Sequence, residues 1–192
     1  MKRLAFVSGI LALAAPLALA QASTWTNDPA HSEVDFTIRH GGVSNVHGRF
    51  GKVTATIVYN DADITKSSVT ATIDVAGLST GQEPRDNHLK TDAFFDVAKF
   101  PTATFASTSV AKGGNGLTIT GNLTLHGVTK PVTLDVEGPS TPVQSGMDHK
   151  LHSGFSATTT ISRTAFGVGA NFPTALVGDD AKLTIELEVV KQ

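Results

Sequence analysis

Along most of this chain apolar and polar residues alternate one by one. Val34, Phe36 and Ile38 fall on one face while Glu33, Asp35, Thr37 and Arg39 fall on the other, and a period of two is the mark of a strand with one wet face. Gly41-Gly42 interrupts the pattern. Val53, Ala55, Ile57 and Tyr59 against Lys52, Thr54 and Thr56 predict a second strand, and Val69, Ala71, Ile73 and Val75 against Thr70, Thr72 and Asp74 a third; the turn-forming run Asn60 to Asp63 separates them. A fourth strand runs from Pro101 to Val110. Leu117, Ile119, Gly121, Leu123 and Leu125 mark the fifth, in which Gly121 permits a sharp bend. Val132, Leu134 and Val136 mark the sixth, after a hairpin-length connection from His126 to Lys130. Leu151, Phe155, Ala157 and Ile161 mark the seventh, and Leu183, Ile185, Leu187 and Val189 the eighth. Gly138 to Met147, with Pro139 and Pro142, predicts a surface loop.

The alternation lapses between Thr80 and Phe105, where charged and aromatic residues crowd together. Thr80 and Glu83 stand at capping-box spacing, and Pro84 suits a first helical turn, so a short helix is predicted to start there. Asp92 is a second candidate N-cap, and Phe100-Pro101 returns the chain to extended backbone. The insertion therefore reads as a helical cap between the third and fourth strands. Phe94, Phe95 and Phe100 need an apolar surface beneath them. A sandwich offers none, whereas the mouth of a barrel does. The expected fold is all-β, an eight-stranded antiparallel barrel carrying that cap, and such a barrel is wide enough to hold one small ligand.

Composition narrows the setting. Lys2-Arg3, an apolar run from Leu4 to Leu19 and the small-residue triplet Ala18-Leu-Ala20 describe a secretory signal peptide over residues 1–20, leaving residues 21–192 as the mature domain and the periplasm as the expected compartment. Without Lys2 and Arg3 the chain has 13 basic against 17 acidic residues, a net charge of −4, which argues against nucleic acid as a partner. No later segment is long and apolar enough for an integral membrane span. Cysteine is absent, which removes disulfides, thiolate metal sites and cysteine nucleophiles; stability must come from the core or from a closed sheet.

Motifs that carry chemistry are few. His149 and His152 are spaced like metal ligands, but residues three apart on a strand face opposite ways. Asp61-Ala-Asp63 opens like a calcium loop but lacks the glycine and glutamate that complete one. Gly167-Val-Gly169 has no strand–turn–helix context, and no Gly-x-Ser-x-Gly elbow occurs. No catalytic residue, metal or cofactor is assigned. Arg85, Asp86 and His88 read either as hydrogen-bonding partners that fasten the cap to the rim or as contacts for a ligand head group, and Asp28, His31 and Ser32 as loop hydrogen bonding. His40 has the parity of Val34, Phe36 and Ile38, which predicts that it faces inward unless Gly41 bulges the strand.

Asp28-Pro-Ala-His31-Ser32, Arg85-Asp-Asn-His-Leu89, Phe94-Phe95-Asp96, Phe100-Pro101, Leu123-Thr-Leu-His-Gly-Val-Thr-Lys130 and Arg163-Thr-Ala-Phe166-Gly167 together resemble, in order and spacing, the YceI family of mostly periplasmic bacterial proteins. The resemblance implies a lipocalin-like barrel whose interior holds a polyisoprenoid, quinone-like or otherwise, or another long-chain amphiphile, bound without chemistry. The residues expected to contact that ligand are Phe36, Ile38, His40, Arg85, Phe94, Phe95, Phe100, Phe105, Leu123, Phe155, Phe166 and Phe172, with His40 or Arg85 at the polar end. A homodimer is compatible with the sequence. An enzyme acting on such a lipid, with His40 or His88 as general base, and a ligand-free envelope interaction module are the alternatives.

Overall fold

Each run of period-two alternation becomes a strand whose apolar face turns to one interior. The computed structural model describes residues 22–114 and 116–192, and the leader assigned to residues 1–20 lies outside the described residues. Ten strands follow the chain: β1 (Ser23–His40), β2 (Ser44–Arg49), β3 (Val53–Tyr59), β4 (Ser68–Asp74), β5 (Thr102–Gly113), β6 (Gly116–Leu125), β7 (Val128–Glu137), β8 (Val143–Gln144), β9 (Leu151–Ser162) and β10 (Val177–Lys191), with helix α1 (Glu83–Lys90) between β4 and β5. The hydrogen-bonded order is β10-β1-β3-β4-β5-β6-β7-β9, and β9 pairs with β10 to close an eight-stranded antiparallel barrel. Closure removes the free edges on which open sheets aggregate. The short strands β2 and β8 lie outside the ring, on β1 and β9.

β1 is more than twice as long as the alternation from Val34 predicts. The extra length begins with Trp25 and Asn27, both buried, and is hidden in the sequence by the break at Asp28-Pro29. Where β1 leaves β3, the Asn27 side chain continues the ladder: its amide donates to the Val53 carbonyl and its oxygen accepts the Ala55 N–H. β2 was not visible in the sequence because Ser44-Asn-Val-His-Gly-Arg49 shows no apolar alternation. It is a hairpin arm that pairs with the second half of β1.

The wet faces carry threonine, and the pairs Thr120–Thr133 and Thr124–Thr129 hydrogen-bond across β6 and β7. His126 and Gly127 both have positive φ (53° and 75°), the requirement of the two-residue turn that joins these strands. Gly121 allows a close approach, since a Cβ there would lie 2.4 Å from the Phe105 ring, and the β5–β6 register slips beside it, between Ser107 and Ser109. Inside, one buried cluster fills the cap end around Phe36, Phe50, Val75 and Leu125, while two smaller ones, around Val110 and Val136 and around Trp25 and Val189, fill the rest of the barrel.

Candidate functional site

The cap is held by its own polar residues. α1 begins at Glu83 with Pro84 in its first turn, but the predicted capping box does not form: Gln82 is the N-cap and makes no side-chain capping bond. Thr80 instead turns to Asp86, whose carboxylate accepts from the Thr80 N–H, the Thr80 hydroxyl and the Ser79 hydroxyl. Ser79 is bridged to Arg49, at the end of β2. Arg85 donates through Nε and Nη2 to the Thr80 hydroxyl and carbonyl. Thus Arg85 and Asp86 fasten the helix to the segment that enters it, and Arg85 is not among the residues that line the cavity. No second helix starts at Asp92. Thr91 organises that turn, its carbonyl accepting the Phe94 and Asp96 N–H groups.

These bonds hold the Asp86 carboxyl below the usual carboxylate range, chiefly through the Thr80 hydroxyl. The folded pKa is depressed, so the stabilisation is present above the unfolded value of 3.8 and is lost as pH falls through the lower folded value. Hydrogen exchange of the α1 amides is therefore expected to accelerate, relative to the barrel strands, on going from pH 5 to about pH 3. Asp86→Asn should show faster exchange at pH 5 and little further acid response; an unchanged acid response in that variant would remove Asp86 as the fastening group.

α1 itself has no buried residue. The mouth is closed by the turns that follow it. Phe94 and Phe95 are buried, and with Leu89 they face the interior. Phe95 meets Phe50 edge-on at 5.8 Å, and Phe50 lies 5.1 Å from Phe36, an aromatic ladder running from cap to wall. Phe94 stacks on Phe172 at 4.5 Å, with His88 edge-on to both rings. Gly169, at φ 56°, leaves the room that Phe94 fills, since a Cβ there would approach that ring to 2.6 Å. The cap and the loop from Arg163 to Val177 are therefore clasped across the mouth.

Beneath the clasp lies a cavity of about 100 Å³, whose walls include Val34, Phe36, Phe50, Ile73, Ala103 and Leu123. Among the described residues the one charged group in its lining is Arg163, and the donors of that guanidinium are all occupied. Nε bonds the Gly178 carbonyl, Nη1 those of Val168 and Gly169, and Nη2 those of Phe172 and Val177. Burial pushes its pKa down from the ordinary value, opposed by the charge of Asp179. A second cavity of about 70 Å³ lies further along the barrel among Ile57, Tyr59, Val110, Leu117, Phe155 and Ile185.

The sequence-predicted contacts are thus divided. Phe36, Ile38, Phe94, Phe95 and Leu123 line the cavity under the cap. Phe155 lines the second cavity. Phe105 and Phe166 are buried in the surrounding core. Phe172 belongs to the clasp, and Phe100 packs outside the cavity on His126 and Gly127. His40 is exposed and is not among the residues lining the cavity; the β1–β10 register shifts between Ile38 and His40, with the extra residues on β10. Sequence reasoning missed Phe50 and Arg163 as wall residues. Arg163 was readable in principle, since it shares the parity of Ala157 and Ile161 at the inward face of β9.

The family model described as YceI-like domain matches residues 25–189. Protein YceI of Salmonella arizonae is 38% identical over 164 residues, which cover 84% of this chain and 83% of that protein. Among solved structures, BcnA of Burkholderia cenocepacia superimposes with a TM-score of 0.73 at 29% identity, covering 84% of this chain and 98% of that one. A polyisoprenoid binding domain from Saccharophagus degradans gives a TM-score of 0.62 at 15% identity over 90% of this chain and 100% of its own, a likeness of fold alone. With the barrel, its closure and the cap in place, the chain belongs to the YceI-like family.

Proposed function

We propose that this protein is an exported binding protein or carrier that holds a long-chain amphiphile, an isoprenoid or a fatty chain, in the barrel beneath the cap. The observation that carries the reading is the lining: among the described residues the cavity wall is aliphatic and aromatic apart from Arg163, whose donors are all occupied by carbonyls. Such a wall recognises a hydrocarbon chain and offers no group for acid–base work. His40 and His88, the candidate bases of the enzyme reading, are both exposed and outside the lining. The barrel shared with a polyisoprenoid binding domain agrees with this reading. The N-terminal pattern Lys2-Arg3, apolar run and Ala18-Leu-Ala20 supports export to the periplasm as part of this reading.

The closed cavity is smaller than the roughly 300–1,000 Å³ of small-molecule sites, so entry of a long chain must displace the clasp or join the two cavities. A C40 isoprenoid that buries on the order of 500 Å² of apolar surface gains roughly 12 kcal/mol. Association costs about 4–15 kcal/mol, and opening the interior adds to it. Chain length therefore decides whether a complex forms.

Titration of isoprenoid alcohols and quinones of increasing length into delipidated protein should give affinity that rises with length until the interior is full, by less than about 0.8 kcal/mol per CH₂. The ligand should be recovered unchanged. Ala103→Leu, which fills the cavity from a buried wall position, should retain the fold and lose most of the affinity. A flat response to length, or undiminished binding by Ala103→Leu, would remove the interior as the site.

A further inference from the structure

On the outer wall, away from the lumen, β1 departs from regular pairing. Asn27 pairs with Val189 and Ser32 with Leu187, so the four residues 28–31 stand opposite the single residue Glu188. A bulge of this size re-aims side chains, and here it turns Asp28 and His31 toward Glu188. Asp28 Oδ2 lies 2.8 Å from His31 Nδ1, and Glu188 Oε2 lies 3.7 Å from the same nitrogen. One ligand-type atom from each of the three residues falls within 4.8 Å of the others.

Both carboxylates are held from behind. Asp28 Oδ1 accepts the Ala30 N–H at 2.8 Å. Glu188 Oε1 lies 2.6 Å from His152 Nδ1, and the other nitrogen of that ring lies 3.1 Å from Asp148 Oδ2. Each carboxylate is fixed through one oxygen and presents the other to His31. An arrangement in which the ligating groups are themselves oriented by hydrogen bonds is what separates a metal site from a chance cluster of charges.

We propose that Asp28, His31 and Glu188 form a binding site for one divalent transition-metal ion of the Zn²⁺ type, with His152 and Asp148 orienting Glu188. One imidazole and two carboxylates suit zinc, which accepts three protein ligands and completes its coordination with water. Calcium and magnesium require more oxygen ligands than the cluster offers. Tetrahedral zinc at about 2.0–2.1 Å from each ligand sets neighbouring ligand atoms about 3.3 Å apart. The 2.8 Å contact must then open and the 3.7 Å contact close, each by about half an ångström. His31 is exposed and has the freedom to make that shift. His149, the other histidine of the His149-x-x-His152 spacing, sits in the turn before β9 with φ 61° and is not among these three ligands. The site uses none of the cavity residues and stands independently of the lipid reading.

The test is calorimetric titration of ZnCl₂ into the full chain purified without a histidine tag, with MgCl₂ as control. Saturable binding of one Zn²⁺ per chain is expected, with no Mg²⁺ response. His31→Ala, an exposed position whose loss should leave the thermal transition in place, should lower Zn²⁺ affinity at least about 30-fold, and His152→Phe by about 10–100-fold. His149→Ala should bind as the parent does. Absence of saturable binding, or Zn²⁺ affinity that survives His31→Ala, overturns the site; affinity that survives His152→Phe overturns the orienting role.

Discussion

Arg163→Met is expected to destabilise the protein by about 3–5 kcal/mol, the range for breaking a buried charged network on one side. Arg163 is 5% exposed. Its five N–H groups reach five carbonyls, at Val168, Gly169, Phe172, Val177 and Gly178, which ties the start of the closing loop to its end and to the first residues of β10. Methionine fills a similar volume but removes all five donors; Gly169 keeps the Phe172 N–H, whereas the other carbonyls lose the Arg163 donor, and a buried acceptor without a partner carries the full desolvation cost. Lysine keeps the charge but has three donors on a single nitrogen, a geometry that cannot span carbonyls on both sides of the loop. Arg163→Lys should therefore recover little. Urea denaturation of the two variants against the parent measures both effects; a loss below about 1 kcal/mol in Arg163→Met would mean that the loop carbonyls find other partners. Since whole domains are stable by only about 5–15 kcal/mol, this one side chain accounts for a large share of the margin.

The strands that close the barrel were legible because each alternates over four or more residues, and alternation is the physical signature of a sheet with one buried face. What escaped had definite causes. The first half of β1 is masked by Pro29 and the bulge at 28–31, which break the period without ending the strand. β2 lies outside the barrel ring and has no apolar face to reveal it. The cap was legible as an apolar insertion, and Phe94 and Phe95 do close the mouth. Its polar logic was not legible: Thr80 had the spacing of a capping box with Glu83, yet Asp86 competes for the same Thr80 groups and wins, because it also collects Ser79. His40 had the right parity, but beyond Ile38 the β1–β10 register slips by two residues on the β10 side, and His40 lies past the regular ladder, exposed.

The cavity wall shows the same limit. Inward parity places Phe36, Ile38 and Leu123 correctly, yet Phe105 and Phe166, equally apolar, are buried beside the cavity without lining it. Whether an inward residue borders open space or fills it depends on what lies beside it, and the Phe105 ring fills the space left by the missing side chain of Gly121 on the neighbouring strand. The sequence pattern carries faces, not volumes. This is also why the interior, expected to be a ready lumen, is closed down to two small cavities by its own side chains.

A closed interior makes the clasp the step that controls exchange, and Phe172→Ala is expected to speed ligand release by about tenfold or more. Phe94 is buried and lines the cavity, so its truncation would damage the core and the proposed site together. Phe172 is half-buried, touches the cap through Phe94 and His88, and contributes nothing to the cavity wall, so its loss acts on the closure alone. A stacked aromatic pair contributes about 0.5–1.5 kcal/mol beyond its buried area, and about 1.4 kcal/mol is a factor of ten in a rate. With the area term added, the opened state should gain at least that factor while equilibrium affinity falls less, because entry accelerates too. Stopped-flow displacement of a bound long-chain fluorophore reads the release rate, and exchange of the Phe94 and Phe95 amides reads opening without ligand. Release unchanged in Phe172→Ala but faster in Phe155→Ala would move the portal to the other end of the barrel, where Phe155 and Tyr59 border the second cavity.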